Sequence, residues 1–254
     1  MLKLGERHVR RQKHWHNYVK SFGFTDADIS ELMRMALDPD LNTADTNSSE
    51  VWAPVHAWRS LGQLRATDAI DPLLDNLEEM QDDDYFREDL KAVLALIGPE
   101  AIPSIAKFIK DPDHTLYPKW SCIDALVEFW KTYPEARADC VAITVEQLQQ
   151  FHRNSDTINA VLINNLIDMN AVETADLMKQ AYASKRVDLG VLGDWIDAQR
   201  HLGLISAAEA REQRLYVDAE HLSQKAAKPI TAEPKGFGNS GSAKKSSSKK
   251  KKKS

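Results

Sequence analysis

A chain of 254 residues, 43% of them apolar, can bury a sizeable core as one large domain or two small ones. Its two cysteines, Cys122 and Cys140, fit neither a disulfide framework nor a paired zinc motif; the first thirty residues are charged throughout, and no apolar run approaches the roughly eighteen residues that span a bilayer. The formal charge of −5 hides unlike parts: residues 1–20 carry +5, residues 235–254 carry eight lysines and no acid, and residues 21–234 keep −18. The expectation is a cytoplasmic protein with no signal peptide and no transmembrane segment.

Residues 1–20, rich in Arg, Lys and His with Trp15 and Tyr18, read as a short, solvated basic helix. His8, His14 and His16 share this basic segment, which repels a divalent metal. Phe24 opens a better signalled helix: Thr25 can cap it, Asp28 stands at the third helical position, and Ile29, Leu32, Met33 and Ala36 line one face. It stops before Asp38-Pro39, and residues 40–50 read as a polar connector whose carboxylates lack calcium-loop spacing.

Repeats begin at Val51. A first helix runs through Trp52, Val55, Trp58, Leu61 and Leu64, with Pro54 in its first turn; Asp68 can cap a second helix through Ile70, Leu73, Leu74 and Leu77. Shifted by 32 residues, Leu61, Leu64, Ala69, Ile70, Leu73 and Leu77 fall on Val93, Leu96, Ala101, Ile102, Ile105 and Ile109, all apolar. A third unit pairs Ile123, Leu126, Val127 and Trp130 with a helix opening at Pro134-Glu135-Ala136. A fourth pairs Val161, Leu162, Leu166 and Ile167 with one opening at Asn170-Ala171-Val172. A lone helix pair cannot bury both its apolar faces, so such units are expected to stack.

The pattern Leu61-Gly62, turn, Asp68-Ala69-Ile70, Leu73-Leu74, echoed in Ile97-Gly98-Pro99-Glu100-Ala101-Ile102, resembles HEAT-like repeats of the phycobilisome-lyase (PBS lyase) type over residues 51–183. The opening Trp58-x-x-Leu61-Gly62 also matches tetratricopeptide repeats. There the match fails, since Arg65 replaces the expected Tyr, and Leu74 and Glu78 stand at the expected Ala and Phe positions. The resemblance implies an all-α fold, an α-α superhelix (HEAT-like α-solenoid), and is nearly silent on function. Residues 1–50 then form N-terminal helices and a polar loop, with a leading half-repeat at 25–37; residues 184–225 supply capping helices, and residues 226–254, Pro-, Gly-, Ser- and Lys-rich, a disordered basic tail.

For chemistry, the sequence offers little. No histidine is followed by glutamate, as a HEAT-like di-iron site requires, and neither a nucleophile elbow nor a phosphate-cradling loop is present. His56 between Trp52 and Trp58, and the corner Asp194, Trp195, Asp197, read first as packing and capping. No cofactor, metal or catalytic residue is assigned, and the expectation leans away from an enzyme. The leading expectation is a scaffold or adaptor that binds a protein partner through exposed charges at helix ends, Asp82, Asp83, Asp84, Asp111, Asp113 and His114. The acidic run from Glu78 to Asp84 would suit a basic partner. A second is a nucleic-acid or ribosome-associated protein tethered by Lys244, Lys245, Lys249, Lys250, Lys251, Lys252 and Lys253, which attract RNA or another polyanion without reading bases. The repeat resemblance adds a third, a chromophore lyase-like or chaperone-like protein.

Overall fold

Every regular element among the described residues is helical. A computed structural model describes residues 1–6 and 12–227, with side chains through residue 217. The basic tail from residue 228, with all seven of its candidate lysines, and His8 lie outside the described residues. Met1–Arg211 forms one compact unit; the second, Glu212–Ser254, is described only for the end of its helix.

The leading residues differ from expectation. Trp15 and Tyr18 are buried, and the regular structure is a 3₁₀ turn, Gln12–His14, followed by a short helix, α1 (Tyr18–Phe22). Two aromatic side chains offer more burial energy, about 1.5–3 kcal/mol each, than a solvated helix can return, so the segment lies against the core. At residue 25 the expected capping box forms: the Thr25 amide donates to Asp28 Oδ2 at 2.8 Å ahead of α2 (Ile29–Ala36). Part of the expected connector is ordered, because the Asp38 carboxylate accepts from the amides of Asp40 and Leu41 and starts α3 (Pro39–Asn42).

Four helical hairpins follow. They are α4 (Ala53–Leu64) with α5 (Ile70–Asp75), α6 (Asp84–Ile97) with α7 (Ile102–Lys110), α8 (Leu116–Thr132) with α9 (Arg137–Leu148), and α10 (Asp156–Asp168) with α11 (Ala175–Ala183). First helices pack in series, α4 on α6, α6 on α8 and α8 on α10, with α2 against α4; second helices do so from α5 through α7 to α9. The 32-residue sequence shift reappears as burial. Leu61, Ala69, Ile70, Leu73 and Leu77 and their counterparts Val93, Ala101, Ile102, Ile105 and Ile109 are all buried, and Leu64 and Leu96 are both half-buried.

Each second helix enters through a 3₁₀ turn. These turns begin at residues 67, 99, 134 and 172, intervals of 32, 35 and 38. Asp68 therefore lies inside such a turn, exposed, and does not cap α5. One hydrogen bond repeats at the third residue of each turn: the amides of Ala69, Ala101, Ala136 and Thr174 donate to the carbonyls of Ala66, Gly98, Tyr133 and Ala171 at 2.9–3.1 Å. Thr174, not Ala171, is thus the fourth equivalent position, three residues later than the sequence pattern placed it. Its hydroxyl donates to the Ala171 carbonyl at 2.7 Å, which lets a threonine occupy an alanine's place.

Gly62 explains how the first two hairpins approach. A Cβ built there would lie 3.3 Å from Val93 Cα, Val93 O and Leu96 Cδ1, so a missing side chain lets α4 and α6 cross closely. Beyond the hairpins, α12 (Leu189–Leu192) and α13 (Trp195–His201) pack on α10, and α14 (Ala207–Ala227) carries the chain into the second unit.

Candidate functional site

The residues proposed from sequence for a partner are mostly engaged in local structure. Asp83 caps α6 by accepting from the Phe86 amide at 2.9 Å, Asp84 pairs with Arg87, and Asp111 accepts from the Asp113 amide at 2.9 Å; Asp82 is exposed. Glu78, at the head of the acidic run, staples two hairpin ends together. Its Oε1 accepts from the Thr115 amide at 2.8 Å and lies 3.1 Å from His114 Nδ1, and its Oε2 accepts from the Thr115 hydroxyl at 2.6 Å. Against burial, which pushes it up, the Thr115 and His114 contacts hold the Glu78 carboxyl below its ordinary range. The His114 ring stacks on Phe108 at 3.5 Å between centroids.

His56 is fully buried. Its Nδ1 shares a 2.8 Å hydrogen bond with the Tyr18 hydroxyl and its Nε2 lies 2.9 Å from the Gly5 carbonyl, so it ties the leading segment to α4. Trp52 meets Tyr85 edge-on, and Trp58 points its Nε1–H at Asp89 Oδ2, 3.2 Å away. At the other end, Asp194 caps α13 through the amides of Ile196 and Asp197, and Trp195 packs beside Tyr182, whose phenol burial pushes up to about 12. The thiols of Cys122 and Cys140 are buried and free; burial raises both, Cys140 to about 11, which leaves little thiolate near neutrality.

What the helices assemble, and the sequence did not signal, is a cleft of about 520 Å³ where the α7–α8 connection meets the α9–α10 connection. Lys110, Lys119, Arg153 and His114 line it, and among the described residues no carboxylate does. Its polar lining rests on a buried amide network. Gln147 Nε2 donates to Asn154 Oδ1 at 2.8 Å; Asn154 Nδ2 donates to the Gln147 carbonyl and to Asn159 Oδ1, both at 2.9 Å; and Asn159 Nδ2 donates to the carbonyls of Phe151 and Arg186 at 2.8 and 2.6 Å. The arrangement supplies positive charge and directed polar groups, which is the chemistry of binding an anionic group.

Among the described residues, no cluster of three or more His, Cys, Asp or Glu side chains is grouped to hold a metal ion. No single described helix is long and apolar enough to cross a membrane; α6 and the segment Pro99–Lys110 reach that length only together and are bent by 115°. The described residues form an all-helical fold with a cationic cleft where two of its connections meet. No protein-family model matches the chain, nor does any curated protein or any solved structure.

Proposed function

We propose that this protein is a non-enzymatic α-solenoid scaffold of the HEAT-like type that binds a protein partner at the ends of its hairpins. The observation that carries the reading is the recurrence of one packing unit: the same positions are buried in successive hairpins, and first helices pack on first helices. Such a stack commits its apolar residues to neighbouring units and leaves connections for recognition. The free, buried thiols accord with a reducing, cytoplasmic setting.

The test is affinity capture from the native cell with the full chain and with a chain lacking residues 235–254. A protein retained stoichiometrically by both forms supports the scaffold. If capture yields only RNA, and that is lost with the tail or between about 50 and 200 mM salt, the lysine-tether reading replaces it.

A further inference from the structure

We propose that the cleft between the α7–α8 and α9–α10 connections is a docking site for an acidic peptide segment of the partner, a deepening that rests on the scaffold reading. Three observations converge. Lys119 and Arg153 line the cleft, and neither has a hydrogen bond or ion pair from its side chain among the described residues. Lys110, also on its wall, is engaged at 2.7 Å by Glu146 on the exposed side of α9. Lys119 is half-buried: Glu78, Asp111 and Asp113 act on it only through space, and desolvation outweighs them and lowers its pKa. A lysine partly withdrawn from water without a counter-ion in contact is stabilised by an anion that enters beside it.

The second observation is a rigid polar wall. Gln147 is 7% exposed, lines the cleft and has its Nε2 fixed on Asn154; its Oε1, without a hydrogen-bond partner among the described residues, is itself enclosed, so the amide serves as a fixed part of the wall. The amide cannot reverse, because Asn154 Oδ1 needs that donor while Asn154 Nδ2 is already spent on two oxygens. The ligand must then bring anionic groups for Lys119 and Arg153. An extended peptide with acidic side chains carries several such groups along one stretch of chain.

The third is size and sign. A volume of about 520 Å³ exceeds the need of a lone inorganic anion and suits a few residues of chain. The protein's own Lys-rich end has the wrong charge to occupy it. This reverses the polarity expected from the acidic residues nearby: Asp111 and Asp113 flank a site that attracts acids.

The experiment uses the full chain and fluorescence anisotropy with a fluorescein-labelled peptide of eight residues alternating Glu and Gly. Lys119→Ala/Arg153→Ala is expected to weaken binding at least tenfold. Lys107→Ala/Lys179→Ala, which removes the same charge elsewhere, is expected to stay within twofold, and a peptide with Gln for Glu is expected not to bind. Equal behaviour of the two double variants, whether both weaken or neither does, would place the peptide on the lysine tail or on diffuse charge and overturn the proposal. Displacement by inorganic phosphate as effective as by unlabelled peptide would also overturn it, in favour of a small-anion pocket. The underlying reading fails separately. If the full chain captures a protein partner and Lys119→Ala/Arg153→Ala captures it equally well, the scaffold stands and the cleft falls; if neither captures one, the scaffold reading itself fails.

Discussion

Arg59 Nε donates to Asp89 Oδ2 at 2.6 Å, joining α4 to α6 with both side chains almost wholly withdrawn from water, at 1% and 3% exposure. The same carboxylate accepts from Trp58, and the Arg59 guanidinium lies 4.7 Å from the centre of the Trp15 ring, so the cluster also receives the leading segment. Arg59→Met leaves Asp89 as a buried charge without its cation. It is expected to lower unfolding free energy by about 3–5 kcal/mol in denaturant titration, whereas Arg59→Met/Asp89→Leu recovers only part of that loss, because an apolar pair removes the unpaired charge but leaves the Trp58 N–H without its acceptor.

Gly62→Ala tests the close crossing of α4 and α6. In an isolated helix the change gains about 1 kcal/mol. In this protein the new methyl meets the backbone of Val93 at 3.3 Å, in the middle of a packed helix that has no room to retreat. The expected net result is destabilisation, within the roughly 1–3 kcal/mol typical of overpacking, read as a lower denaturant midpoint at unchanged slope.

The register of the fourth hairpin has its own test. If Thr174 is the counterpart of Ala136, then Ala136→Thr can place its hydroxyl on the Tyr133 carbonyl as Thr174 does on Ala171, and is expected to cost less than about 1 kcal/mol. Ala101→Thr, at a fully buried counterpart, is expected to cost more, about 1–3 kcal/mol, through overpacking. Thermal melts of the two variants rank them.

Asp124 links stability to pH. Burial is the largest influence on its carboxyl and raises its pKa, against the Asn165 amide that donates to it at 3.0 Å and the charge of Lys91. The folded state therefore holds this proton more tightly than the unfolded chain does. That contribution is fully present below the unfolded value of about 3.9 and is lost as pH rises through the folded value. Asp124→Asn keeps an oxygen for Asn165 and carries no charge. Its melting temperature is expected to exceed the native protein's at pH 7, with the gap closing towards pH 3.

Much of the fold is legible because its apolar residues recur at fixed spacing: the six positions shifted by 32 residues match in sequence and again in burial, down to the half-buried Leu64 and Leu96. Legibility fails where polar groups decide. Asn170, at φ 56°, and the bond from the Thr174 amide to Ala171 set the last turn, and nothing in an alanine pattern encodes them. Arg59 and Asp89 stand thirty residues apart, and no sequence pattern pairs them. Trp15 and Tyr18 sit in a strongly basic stretch that masks their burial. The cleft was invisible for a related reason: Lys110 and Lys119 flank the α7–α8 connection while Arg153 lies in the α9–α10 connection, and only the meeting of these two connections brings them to one cleft.

Residue-resolved hydrogen exchange on the full chain, free and saturated with its captured partner, tests where the protein recognises that partner. A scaffold that recognises through its connections, with its hairpin interiors committed to packing, predicts new protection in residues 110–119 and 147–158 and little change within α4 and α6, whose amides are already held. Protection absent from both connections, or confined to the far end of the array at α4 and α5, would contradict it.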